Sequence, residues 1–186
     1  CNVDDALEVL ERMAMLEIAP NWITFNCVIN ACAKSQPARV DDALKVLDQM
    51  SEVGSIPNQI TFNSLINVCA NSQPARVDDA LKLMERMKEQ AIAPNLITFN
   101  SVINAFANSQ PVRVNDALEM LERMNKHNVI PDHITFNCVV NACTTAEPAR
   151  VGDALEVLER MIYGGITPNQ ITFGSVINAC ANSQPV

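Results

Sequence analysis

The sequence predicts an all-α protein, a stack of two-helix repeats. Three observations carry that prediction. First, a Pro-Asn/Asp-x-Ile-Thr-Phe phrase returns at Pro20, Pro57, Pro94, Pro131 and Pro168, every 37 residues, with no insertion or deletion. A fixed period of roughly 20–50 residues marks units that bury their apolar faces only against their neighbours. Second, 48% of residues are apolar but only 4% aromatic, and glycine occurs 5 times in 186 residues. That composition suits helices packed through aliphatic side chains rather than strands. Third, each period holds two segments with apolar residues at helical spacing.

The chain opens on a helix from Val3 to Met13 and closes on one from Ile171 to Ala181. Four complete units lie between, 22–58, 59–95, 96–132 and 133–169, flanked by partial units 1–21 and 170–186. This makes about ten helices. In unit 59–95 the first helix spans Ile60 to Asn71, where Phe62, Leu65, Ile66 and Cys69 form one stripe. Pro57-Asn58 stops the preceding helix and offers an N-cap. Ser72-Gln73-Pro74 then breaks the pattern. The second helix runs from about Val77 to Lys88, with Asp78 and Asp79 in the first turn, where the helix dipole favours carboxylates. Met13, Met50, Met87, Met124 and Met161 share one repeat position; Ala6, Ala43, Ala80, Ala117 and Ala154 share another. Both read as core, and each buried Leu or Met contributes roughly 1.5–3 kcal/mol. Both ends expose apolar faces in this reading, so self-association through the end helices is an expectation too.

Several function classes fall away. No apolar run is long enough for a membrane helix, and no leader pattern is visible. Of the seven cysteines, Cys32, Cys69, Cys143 and Cys180 share a position that Phe106 fills in another copy. Cys27 and Cys138 share one held elsewhere by Ser64, Ser101 and Ser175. Positions that tolerate Phe or Ser are packing sites, and the ligand spacing of a metal centre is missing. No nucleophile–base pair, phosphate loop or cofactor motif occurs, so neither enzyme activity nor a cofactor is expected.

The net charge of −8 argues against nucleic acid if taken alone. Its distribution argues otherwise. The segments Trp22–Lys34, Gln59–Asn71, Leu96–Asn108, His133–Thr145 and Gln170–Asn182 contain no Asp or Glu. The carboxylates lie almost entirely on the second helices. Winding the first helix at about 100° per residue leaves one stripe outside the packing faces. It starts Asn26–Asn30, Asn63–Asn67, Asn100–Asn104 and Asn137–Asn141 in successive units. An amide stripe on a helix packed on its other sides is expected to face solvent or a ligand.

A helical hairpin with Ile-Thr-Phe-Asn opening the first helix, Asp-Asp-Ala-Leu in the second, then Met and Ile-x-Pro-Asn, resembles the pentatricopeptide repeat family. The resemblance covers the whole chain. One departure is the period, 37 residues against the family's usual 35; the surplus lies in the Ser-Gln-Pro-Ala-Arg turn. A tetratricopeptide scaffold, the near competitor, lacks support because its Trp and Gly-Tyr signature is absent.

The resemblance implies a right-handed α-solenoid whose second helices form the outer layer. It implies that each repeat reads one base of single-stranded RNA. By that resemblance the base-reading pairs are Asn26 with Asn58, Asn63 with Asn95, Asn100 with Asp132, and Asn137 with Asn169. Ile23, Ile60, Ile97, Ile134 and Ile171 match the position that packs against base faces. The pattern implies pyrimidines, C/U, C/U, U, C/U, in an organelle, mitochondrion or chloroplast. Gly174 has no side chain to read with. Each site residue also has a plainer role: Asn58 and its equivalents as helix caps, the isoleucines as packing. Lys34 is the candidate phosphate contact. Arg39, Arg76, Arg113 and Arg150 recur in the turn, where charge pairing competes with phosphate binding. The alternative function is a protein-interaction scaffold in an RNA-processing or ribonucleoprotein assembly, using the acidic outer helices.

Overall fold

The protein is described by a computed structural model covering residues 2–182. Residue 1 and residues 183–186 of the two partial repeats lie outside the described residues. Among the described residues there are ten α-helices and no strand. They are α1 (Val3–Met15), α2 (Trp22–Lys34), α3 (Val40–Glu52), α4 (Gln59–Asn71) and α5 (Val77–Glu89), then α6 (Leu96–Ala107), α7 (Val114–Lys126), α8 (His133–Thr145), α9 (Val151–Tyr163) and α10 (Gln170–Asn182). The chain divides at Pro94/Asn95 into two compact units.

In the first unit α2 and α4 lie side by side, and α3 seats against both. In the second, α6, α8 and α10 form the same row, with α7 against α6 and α8, and α9 against α8 and α10. The recurring apolar positions fill the space between. Phe62, Phe99, Ile66, Ile103, Ala80, Ala117, Met87 and Met124 are fully buried. The alanines let a second helix approach its first helix closely, because a larger side chain would hold the two apart.

Second helices make no direct backbone approach to one another within either unit. Ion pairs and polar contacts join them instead. Arg39, just before α3, reaches back to Asp4 on α1, and Arg76 reaches back to Asp41 on α3. Arg150 donates to Asn115, and Arg160 pairs with Glu122. Each repeated turn arginine also binds a carboxylate of its own helix: Asp42 at 2.7 Å, Asp79 at 2.6 Å, Asp116 at 2.6 Å and Asp153 at 2.5 Å. Charge pairing is therefore the observed role of these arginines. Hydrogen bonding to Arg76 holds the Asp41 carboxyl below the usual carboxylate range.

The turns have their own geometry. Pro37, Pro74, Pro111 and Pro148 follow cis peptide bonds. The backbone N–H of each turn arginine returns to the first helix, as Arg76 N to Cys69 O at 3.0 Å. Second helices end on a left-handed residue, Glu17, Gly54, Ala91, Asn128 or Gly165. The following N–H bonds back to the recurring methionine, as Ile92 N to Met87 O at 2.8 Å, closing the carbonyls that a helix end leaves open.

Candidate functional site

First helices begin at a side-chain cap. Asn58, Asn95 and Asp132 accept the backbone N–H of Thr61, Thr98 and Thr135 at 3.0, 3.1 and 2.9 Å. Each threonine hydroxyl in turn accepts the cap residue's own N–H, completing a reciprocal capping box. Asn21 and Asn169 cap α2 and α10 by accepting two backbone N–H groups each, and the Thr172 hydroxyl also accepts the Asn169 N–H. The last residue of each unit therefore has a structural task, whatever else it does. In Asn58 and Asn169 the atom that caps is Oδ1, not the amide nitrogen.

Two residues into each first helix stands the recurring isoleucine. Ile23, Ile60, Ile97, Ile134 and Ile171 are 49–68% exposed. An apolar side chain kept at the surface in every copy contributes little to the core.

The amide stripe does not lie as the helical wheel suggested. Asn26 and Asn63 are buried, 5% and 8% exposed, and Ala70 at the far end is buried too. Asn100 and Asn137 are half-buried, while Asn30 and Asn67 are exposed. For Asn26 the physical reason is the tight side-by-side packing of α4 on α2, which covers the flank that an isolated helix would leave open. Gly174 faces open space: among the described residues, no atom beyond its own chain neighbours and helix backbone lies within 4 Å of where a Cβ would stand.

Unit 96–132 brings its two candidate reading residues together. The Asn100 amide nitrogen donates to Asp132 Oδ1 at 3.2 Å. The Thr135 hydroxyl, from the next repeat, donates to Asn100 Oδ1 at 2.6 Å. Thr172 makes the same 2.6 Å bond to Asn137. Burial pushes the Asp132 carboxyl up, but the hydrogen bonds it accepts from the Thr135 backbone and from Asn100 outweigh it, so its pKa lies below the ordinary value. These buried threonines were missed as functional candidates. The sequence did carry a signal for them: Asn/Asp-x-x-Thr at every first-helix start has the spacing of a capping box.

Lys34 is exposed at the end of α2. It borders a cleft of about 640 Å³ between successive turns, with Gln36, Asn71 and Gln73. A cleft of about 880 Å³ occupies the corresponding place in the second unit, beside Asn108, Asn141 and Thr145. Among the described residues no group of three or more His, Cys, Asp or Glu is placed to hold a metal ion. Among the described residues no helix is long and apolar enough to cross a membrane.

Residues 1–134 match the family model described as the pentacotripeptide-repeat region of PRORP. Residues 87–185 match the model described as a pentatricopeptide repeat-containing protein. No curated protein matches the chain. Among solved structures, the pentatricopeptide repeat protein PPR10 from maize superposes with a TM-score of 0.78 at 25% identity, covering 97% of this chain and 25% of that one. PPR10 in complex with an 18-nt psaJ RNA element gives a TM-score of 0.77 at 24% identity, over 91% and 24% of the two chains. The PPR domain of Arabidopsis thaliana protein-only RNase P 1, in complex with tRNA, gives 0.76 at 14% identity, over 97% and 91%. The chain thus spans about a quarter of the length of PPR10.

Proposed function

The chain belongs to the pentatricopeptide repeat family, and from that premise we propose that it binds single-stranded RNA, one repeat to one base, with a preference for pyrimidines. The observation that carries this reading is the 3.2 Å contact between Asn100 and Asp132. It joins the two positions that should read one base, next to an isoleucine left exposed on every first helix.

The chemistry discriminates between bases as follows. An Asn amide donates to the O2 acceptor that uracil and cytosine share. Asp132 spends Oδ1 on its cap and on Asn100, so Oδ2 remains to accept the ring N–H of uracil. Asn58 and Asn169 spend Oδ1 on their caps and offer an amide N–H, which suits the bare ring nitrogen of cytosine. Units 22–58, 59–95, 96–132 and 133–169 then prefer C/U, C/U, U and C/U, from 5′ to 3′. The isoleucines flank the base faces, as an apolar surface can for any base.

Affinity rests on few charges. The turn arginines are engaged by carboxylates, and Lys34 is the one cation of the first-helix segments. Weak binding with a shallow salt slope follows. No catalytic step belongs to this proposal. An organellar setting, mitochondrion or chloroplast, belongs to it by family resemblance alone. Binding of C/U-rich and A/G-rich oligonucleotides to wild type and to Asn100→Ser tests it. Pyrimidine preference that weakens in the variant is expected. Indifference to both base composition and substitution would sink the proposal, and binding that survives nuclease treatment would favour a protein-interaction scaffold on the acidic second helices.

A further inference from the structure

We infer that Thr135 and Thr172 are positioning residues for base choice: each sets the polarity of the reading amide in the repeat before it. The inference rests on the RNA reading above and deepens it.

A threonine hydroxyl has one proton. The Thr135 oxygen accepts the Asp132 N–H at 3.1 Å, so its proton must go outward. Two acceptors compete, Asn100 Oδ1 at 2.6 Å and Asp132 Oδ1 at 3.0 Å. The shorter contact holds the proton on Asn100. Thr172 repeats the choice, with Asn137 Oδ1 at 2.6 Å against Asn169 Oδ1 at 3.2 Å. It also accepts the Asn169 N–H at 3.2 Å. In both places the amide oxygen is drawn to the neighbouring repeat.

The amide nitrogen is therefore the edge left to meet a ligand. In Asn100 one N–H goes to Asp132 and the second is available for a base. Turning the amide over would break the hydroxyl bond and set Oδ1 against the Asp132 carboxylate. The reading group is thus a fixed donor, matched to the O2 of a pyrimidine. An amide released from this hold would present its carbonyl equally well, to the exocyclic amino group of cytosine or adenine. Base choice at unit 96–132 then depends on three residues, the third borrowed from the next repeat.

The test uses the full chain and oligonucleotides varied at one nucleotide at a time. Thr135→Val removes the hydroxyl and should lower the preference for uracil over cytosine and adenine by about tenfold. The change should be confined to the nucleotide facing unit 96–132. Thr135→Ser keeps the hydroxyl and should restore the preference. Thr172→Val should act instead on the nucleotide facing unit 133–169, and it decides the matter if circular dichroism shows Thr135→Val to be unfolded. Preferences unchanged in a folded valine variant overturn the inference, as does a uniform loss of affinity with preferences intact, which is what a purely structural threonine would give. A wild type without any base preference overturns the RNA reading and this inference with it, an outcome distinct from a wild type that discriminates beside variants that do so equally well.

Discussion

Asn26 and Asn100 occupy the same place in two copies of one repeat, yet their amides are held differently. Asn100 donates to Asp132 and accepts from Thr135. Asn26 is buried, and neither its Oδ1 nor its Nδ2 has a hydrogen-bond partner among the described residues. The neighbouring caps differ too. In the first unit the Thr61 hydroxyl lies 3.2 Å from Asn58 Oδ1 and serves the cap, whereas Thr135 turns its proton to Asn100. A carboxylate at position 132 draws in the Asn100 N–H on the same Oδ1 that caps α8; at position 58 the cap is a neutral amide, a weaker acceptor than an ionised carboxylate. The same residue at the same repeat position is thus a tethered donor in one copy and an uncommitted amide in the other. Stricter base choice is expected at unit 96–132 than at unit 22–58.

The widest separation between the two copies should come from removing the amides. Asn100→Leu strands the groups that Asn100 satisfied and should cost about 1–3 kcal/mol. Asn26→Leu replaces an unpartnered buried amide by an apolar group of similar size and should be neutral or stabilising. Thermal or urea unfolding measures both, and equal losses would break the comparison. A smaller effect is expected from converting one copy toward the other. Asn58→Asp places a carboxylate at a helix N-terminus beside Asn26 and should stabilise by about 0.3–1 kcal/mol. It should also move the preference at that base toward uracil. A stability gain without the shift in preference would separate capping from reading.

The reverse exchange, Asp132→Asn, gives the smallest effect on stability. The side chain is partly exposed and the helix keeps its cap, as Asn95 and Asn169 show, so a loss below about 1 kcal/mol is expected. Its pH dependence has a definite sign. The folded-state pKa of Asp132 lies below the ordinary value, near 4 for an unfolded chain, about 3.9. The wild-type advantage is therefore complete above about pH 4 and disappears as the pH falls through the folded value. An advantage that persists at pH 2 would show that the carboxylate charge is not its source.

Much of the fold is legible in the sequence for a physical reason. Prolines and Asn caps punctuate every copy, and two apolar stripes at helical spacing leave no other secondary structure. Helix starts at Val77 and near Ile60, the core role of Met87 and Ala80, and the segregation of carboxylates to the second helices all follow from local pattern. What pattern could not supply is what a neighbouring repeat covers or lends. A single helical wheel places Asn63 on an open side, while the assembled helices bury it. Thr135 is visible as a cap partner, but its bond to Asn100 spans 35 residues and exists only once the helices stand in register. The left-handed residues are a third case. Gly54 and Gly165 announce themselves, whereas Glu17 and Ala91 adopt the same φ region without glycine, so their helix ends are set by the methionine carbonyl bonds rather than by residue type.

The burial of the first-helix cysteines also gives the molecule a chemical pattern of its own. Burial pushes the Cys69 thiol up to about 12, and Cys138 and Cys143 up to about 11, so at neutral pH these remain protonated and poor nucleophiles. Cys27 holds the same repeat position as Cys138 but is exposed, directly beside Asn26. Among the described residues, a thiol-directed dye applied under mild conditions would therefore gather at Cys27, next to the uncommitted amide, and at Cys180, which is exposed too. The native chain comes with a built-in attachment point at one reading position, and its fluorescence would register occupancy there without any engineered cysteine.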